Sequence, residues 1–312
     1  MISTARCAKE LTTIAWAVAV IVIVIAEAEA GTLSTTYEND FFAFRDRYYT
    51  AGLSLRWYSD PRAGGSRYSL AIGQNLYTGR DIRKPDPSED DRPYAGWLHL
   101  TAGVAWEEGN RQMTAEATVG VVGPSARGEE VQSTVHDWAQ GVEPRGWDNQ
   151  LHDETGVVAR YTSRYPRRHA VQRAGWAVDW VPGWTLWAGN VYTAAEVDLV
   201  VRLGPDLPPG FSVPIFHPVT AAESHFEARA GGWYVHGRVV RRWVVRNLFL
   251  DGNTVRDSRS VEKEPVVDQL FLGIAFYEGR WQASYTHTLL SKEFKTQRGH
   301  DAYGVVQVAW KF

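Results

Sequence analysis

From residue 31 to residue 312 the chain alternates. In run after run, apolar side chains take every second position, with polar or small ones between them. The last run shows it well: Val306, Val308, Trp310 and Phe312 form one row, and Tyr303, Gln307 and Lys311 lie on the other. Tyr49, Ala51, Leu53, Leu55 and Trp57 alternate in the same way with Thr50, Gly52, Ser54 and Arg56. So do Leu98, Leu100, Ala102, Val104 and Trp106 with His99, Thr101 and Gly103. A period of two places one row on each face of a β-strand, so each run predicts a strand with one greasy and one polar face. About twelve such runs can be counted. They centre near Tyr37, Leu53, Ile72, Thr101, Thr118, Ala159, Val178, Val197, Tyr234, Leu272, Tyr285 and Val306. An even number lets an antiparallel sheet close on itself and return the chain to its starting side.

A periplasmic sandwich or a lipocalin-like barrel would also alternate. It would not explain why Trp and Tyr, at 14 residues each, recur near strand ends, a placement that suits membrane interfaces. Phe312 closing the final strand resembles the last strand of bacterial outer-membrane barrels. The expected fold is therefore all-β: a transmembrane antiparallel up-and-down β-barrel of about 12 strands, with residues 31–312 as one domain of the bacterial outer membrane. The formal net charge of -3 argues against a nucleic-acid partner, which needs a clustered basic surface.

Residues 1–30 read as a cleaved signal peptide. Arg6 and Lys9 precede an apolar run from Ile14 to Ile25, and Ala28-Glu29-Ala30 forms an A-x-A cleavage pattern. Cleavage after Ala30 would remove Cys7, the one cysteine of the chain. Neither a disulfide framework nor a thiol nucleophile would then be available.

Short turns are expected at Asp60–Gly65 and Glu107–Asn110, and longer polar loops at Gly79–Pro93 and Gly123–Glu154. With the N-terminus periplasmic, the long loops fall outside the cell. The stretches Gly204–Pro218 and Asn247–Pro265 break this rule, the first landing on the periplasmic side. The Gly123–Glu154 stretch holds His136, Gln132, Gln140, Gln150 and seven acids, and is the expected functional centre. Within it, Glu129–Ala139 can form a short extracellular helix with Gln132 and His136 four apart on one face. Asn39 and Asp40 at the end of the first strand, Thr50 at the start of the second, and Arg83 and Lys84 after the third should gather at the same rim. Thr50, in the polar row of its strand, should face the lumen or a groove opening into it. Tyr94 and Trp97 are expected as interface anchors.

The chemistry open to these residues is narrow. The sequence contains neither a G-x-S-x-G elbow nor an H-E-x-x-H zinc pattern. Two readings stay open: metal-assisted hydrolysis, with a hard cation such as calcium held by Asp40, Asn39 and backbone oxygens and neutral His136 taking a proton from water, or a plain rim in which His136 is a solvated loop histidine and Asp40 a surface charge.

Several stretches, in order, resemble the lipid A 3-O-deacylase (LpxR-type) family. They are Glu38-Asn39-Asp40, Asp46–Leu53, Arg83-Lys84-Pro85, Asp91–Leu98, Val122-Gly123-Pro124, Glu130-Val131-Gln132 with His136, and Gly146–Leu151. The resemblance implies a calcium-dependent esterase that removes the 3′-acyloxyacyl group of lipid A, the anchor of lipopolysaccharide in the outer leaflet. It also implies roles: Asn39 and Asp40 as the metal-side pair, Thr50 as the site hydroxyl, Gln132 with His136 as helix-borne pair and base, and Glu143 as a supporting carboxylate. Lys84, ahead of Arg83, would meet a glucosamine phosphate. The spacing from His136 to Glu143 is slightly longer than in that family. A monomer is expected. The rival readings are an outer-membrane phospholipase and a non-catalytic barrel, either pore or binding module.

Overall fold

The computed structural model describes residues 30–43, 47–139, 141–165, 175–205, 207–208, 213–223 and 226–312. Most of the expected signal peptide, Cys7, Gln140, His169 and His225 lie outside the described residues. Twelve strands form one closed antiparallel barrel in chain order, β1 returning to pair with β12. They are β1 Gly31–Asn39, β2 Tyr48–Ser59, β3 Arg67–Thr78, β4 Ala95–Glu108, β5 Arg111–Val122 and β6 Glu154–Arg164. The second half comprises β7 Ala177–Gly189, β8 Tyr192–Gly204, β9 Arg229–Asn247, β10 Val266–Gly279, β11 Trp281–Leu290 and β12 Asp301–Lys311. Each of the strand centres read from the sequence falls inside its own strand.

The alternation becomes an inside and an outside. Leu53, Val119, Val157, Val197, Val239, Leu272 and Leu289 stand exposed on the outer face of the isolated chain. That face is the lipid surface of an outer-membrane barrel. Trp281 stacks on Trp310 with centroids 5.8 Å apart, and Trp176 meets Trp233 edge-on at 5.6 Å. Both pairs lie at the end of the barrel with the tight turns, where an interfacial aromatic girdle belongs.

The lumen is filled. Arg56 pairs with Glu116 at 2.5 Å, and Arg160 pairs with both Glu116, at 2.7 Å, and Glu223. Arg164 and Arg238 share Asp198, while Arg238 and Arg242 share Glu196. Buried charges of this kind persist when each has a partner and further hydrogen bonds. The network also holds the β8–β9 connection, whose position the sequence left unexplained. Residues 213–223 fold back into the barrel as a strap closed by the Ile215/Glu223 bridge. Its carbonyls accept hydrogen bonds from the wall: Phe216 from Arg238, Pro218 from Tyr77, Val219 from Trp97 and Ala221 from Arg56. Phe216, Val219 and Ala222 join a core with Tyr77, Trp97, Trp187, Phe249 and Phe271.

The second unexplained stretch enters the same core. After β9 the chain turns through a short helix at Leu248–Asp251, capped by Asn247, whose side chain accepts from Phe249 N at 3.2 Å. The cap sends Phe249 inward, where it stacks on Tyr77 with centroids 4.1 Å apart.

Candidate active site on the outer wall

At the end of β1 the chain turns sharply. Asn39 Oδ1 accepts from Phe41 N at 2.7 Å, while its Nδ2 donates to the Tyr37 hydroxyl at 2.8 Å. Asn39 shares the outward row with Tyr37, two positions back. Asp40 opens a four-residue 3-10 turn and is buried, its Oδ2 accepting from Arg47 N at 2.5 Å.

Tyr48 follows with φ of 66°, a left-handed conformation that costs a non-glycine residue free energy and survives only where its surroundings over-determine it. The surroundings do so here. The ring is buried against Leu250, Val261 and Phe294, the Arg47 guanidinium lies 5.0 Å above it, and its hydroxyl accepts from Arg298 N. The β2–β3 register then shifts between Tyr49 and Ala51. Thr50 is the extra residue of this bulge. Tyr49, expected in the apolar row with Ala51 and Leu53, lies instead in the lumen, its hydroxyl accepting from Asn75. Ala51 packs outside against Leu76, Tyr94 and Trp147.

The bulge corrects the expected direction of Thr50. Gly52, Ser54 and Arg56 keep to the lumen row, but Thr50 leaves it, and its Oγ1 lies 2.6 Å from Oγ1 of Thr78. Thr78 continues the outward row of β3 after Gln74 and Leu76.

The β5–β6 loop drapes over this outer surface. Its helix, α1, spans Gly128–Ala139, one residue longer at its start than the expected Glu129–Ala139. The approach is close: Gln74 donates to the carbonyl of Ala126, and a Cβ at Gly96 would stand 3.1 Å from the Cβ of Ala126. Trp147 lies beneath the helix between Leu76 and Tyr94. Its indole Nε1 donates to Gln132 Oε1 at 2.8 Å, and Gln132 is buried. An indole N–H can only donate, so the atom facing it must be the amide oxygen, which fixes the orientation of the amide. Gln132 Nε2 is then a buried donor with no hydrogen-bond partner among the described residues.

One turn on, His136 Nδ1 lies 2.5 Å from the carbonyl of Val142. A carbonyl only accepts, so Nδ1 carries the proton and Nε2 is left with its lone pair. Gly141 crowds the ring, since a Cβ there would lie 3.2 Å from Nδ1. Glu143, expected to support the histidine, is 70% exposed and pairs with Arg145 at 3.5 Å. The carbonyl one residue earlier orients the imidazole instead.

Arg83 and Lys84 are sorted by their neighbours. Arg83 Nε donates to Asp81 at 2.9 Å, and this hydrogen bond holds the Asp81 carboxyl below its usual range. Lys84 is exposed, with no ion-pair partner among the described residues. Its loop is stapled to the segment after α1: Arg145 N donates to the carbonyl of Ile82 at 2.8 Å and Asn149 to that of Pro85 at 3.0 Å.

Thr50 and Gln132 are thus joined to one surface by way of Thr78, Leu76 and Trp147, and the loop that carries Lys84 is tied to the segment after α1. Among the described residues no hydrogen bond or ion pair links His136 to Asp40 or Thr50, and no group of three or more His, Cys, Asp or Glu converges there. Asp40 brings carboxylate oxygens and Asn39 an amide oxygen, ligands whose chemistry suits a hard cation completed by backbone oxygens and water better than a soft metal. Tyr94 and Trp97, expected as interface anchors, are buried: Tyr94 lies edge-on to Trp147, and Trp97 points into the lumen against the strap. Thr78, Trp147 and the Val142 carbonyl are contributors to which the sequence analysis assigned no role. Thr78 carries a signal in its place two residues beyond Leu76, and Trp147 in its place within the Gly146–Leu151 stretch.

No curated protein matches the chain. Among solved structures, LpxR from Salmonella typhimurium superposes with a TM-score of 0.78 at 23% identity, covering 90% of this chain and all of that one. The β domain of the Bordetella autotransporter BrkA aligns over 91% of this chain and 99% of its own at 12% identity, with a TM-score of 0.49. The family model described as outer membrane protein LpxR matches residues 11–312. The chain belongs to the LpxR family of outer membrane proteins.

Proposed function

We propose that this protein hydrolyses the 3′-acyloxyacyl ester of lipid A in the outer leaflet, with His136 as general base. Family membership supports the coarser statement, an outer-membrane enzyme that modifies lipid A. The observation that carries the finer reading is the pair on one face of α1. There an imidazole with Nδ1 fixed by a carbonyl lies one turn from a buried amide N–H that has no partner among the described residues.

In this reading water is placed beside Nε2 of His136, which takes its proton as the water oxygen attacks the ester carbonyl. The oxyanion that forms accepts from Nε2 of Gln132, a donor already oriented by Trp147. Collapse breaks the bond to the 3′ oxygen, which recovers the proton from His136. The products are the free acyloxyacyl acid and a 3′-hydroxyl sugar. The Thr50/Thr78 hydroxyl pair lines the same wall and offers a further donor. Asp40 and Asn39, with backbone oxygens, would hold calcium, which when bound supplies a Lewis acid for the carbonyl. Lys84 meets a glucosamine phosphate as a point charge. The filled lumen favours a surface enzyme over a pore.

Lipid A mass spectra from cells expressing the chain test this. A loss equal to one acyloxyacyl group is expected, abolished in His136→Ala and in purified protein treated with a calcium chelator. Unchanged deacylation by His136→Ala would remove the mechanism. Hydrolysis of phospholipid in place of lipid A would instead favour the phospholipase reading.

A further inference from the structure

Helix α1 has a surface that neither the barrel nor the chemistry uses. At 100° per residue, Gly128 and Gln132 form the sector facing the wall. Glu129, Glu130, Ser133, Thr134 and Asp137 occupy a polar arc. Val131, Val135 and Trp138, at i, i+4 and i+7, form a stripe between the two. All three are exposed, Trp138 to 88%. A stripe of this size on a short helix in water is unfavourable, and surfaces of this kind mark interaction sites.

The helix is seated on outward-facing residues of β3 and β4, namely Gln74, Leu76 and Gly96. Below it the same outward rows continue as Leu70 and Ile72 on β3 and Leu98 and Leu100 on β4. Those rows belong to the lipid-facing surface of the barrel. The helix that carries the stripe therefore adjoins a surface that faces acyl chains, and its composition matches a helix lying in a membrane interface, with acids on one side and Trp and Val on the other.

We propose that Val131, Val135 and Trp138 form a membrane-insertion surface, seated among the acyl chains of the outer leaflet beside the β3–β4 wall. Trp138 is the anchor, its indole suited to the boundary between headgroups and chains. This inference rests on the outer-membrane barrel and not on the reaction proposed above, so either can fail without the other.

The test uses the full chain in liposomes with a Cys7→Ala background. An environment-sensitive fluorophore is placed at Trp138→Cys and, as a control on the polar arc, at Asp137→Cys. Heat-modifiable gel mobility checks that both barrels fold. Position 138 should emit to the blue of position 137, be quenched by brominated acyl chains and resist aqueous iodide. Equal quenching of both positions by iodide would overturn the proposal. So would a label at 138 shielded from iodide but untouched by brominated chains, the result expected if a second copy of this chain covers the stripe.

Discussion

The wall formed by β2, β3 and β4 carries a histidine on each side, and the two are used differently. On the lumen side, His99 Nε2 bonds to Asn75 Oδ1 at 3.1 Å and the ring stacks on Trp97. Its other nitrogen is sealed in a barrel filled by the strap. On the outer side, the ring of His136 is held by one carbonyl, and its second nitrogen has no hydrogen-bond partner among the described residues. Both rings are fixed, but only one offers its lone pair to a molecule arriving from outside. The same contrast extends to the neighbours. Arg56, Glu116 and Arg160 spend their charges on one another, whereas Gln132 keeps an unused donor and Lys84 an unused cation among the described residues. Polar groups inside hold the shape, and those outside keep capacity for a substrate.

The comparison can be broken most directly at the two histidines. His136→Ala should lower lipid A deacylation by about 10²–10⁴-fold, the range for loss of a general base, while His99→Ala should leave it within a few-fold, as read by mass spectrometry of released acid. Comparable losses in both would erase the distinction. Next in size is a lumen charge. Glu116→Ala leaves Arg56 without its carboxylate and Arg160 with Glu223 alone, and should destabilise the barrel by about 3–5 kcal/mol in urea unfolding, with kcat of the folded fraction unchanged.

Two further changes sharpen the outer side. Gln132→Ala should cost about 10²-fold in kcat with little change in KM, as expected for a donor engaged with a developing oxyanion. An effect confined to KM would assign it to ground-state binding instead. Gly141→Ala pushes a Cβ toward the His136 ring and should lower kcat by roughly 10-fold through misplacement of the base, with the unfolding midpoint unmoved. The smallest effect is expected from Glu143→Ala, within about two-fold of wild type, since the charge lies in an exposed ion pair of little energetic weight. A loss as large as that of His136→Ala would return Glu143 to the site.

Much of this was legible in the residues. Each strand announced itself by period two, because a closed barrel buries one face in lipid and fills the other with polar groups. The pairing of Gln132 with His136 was likewise visible as a spacing of four on a helix. Thr50 was read to the wrong side, because one bulge reverses the parity of a strand end, and that bulge depends on Tyr48 being held at positive φ by Phe294 and Val261 from distant loops. Glu143 drew attention as a carboxylate, while the group that orients His136 is a backbone carbonyl, which any residue type would supply. The 213–223 strap was opaque for a related reason: its partners are Arg56, Tyr77, Trp97 and Arg238, scattered over four strands. Periodicity is a local property and survives in the order of residues. Which polar groups end up satisfied, and which remain open to a lipid, was decided only when the barrel closed and brought those distant partners together.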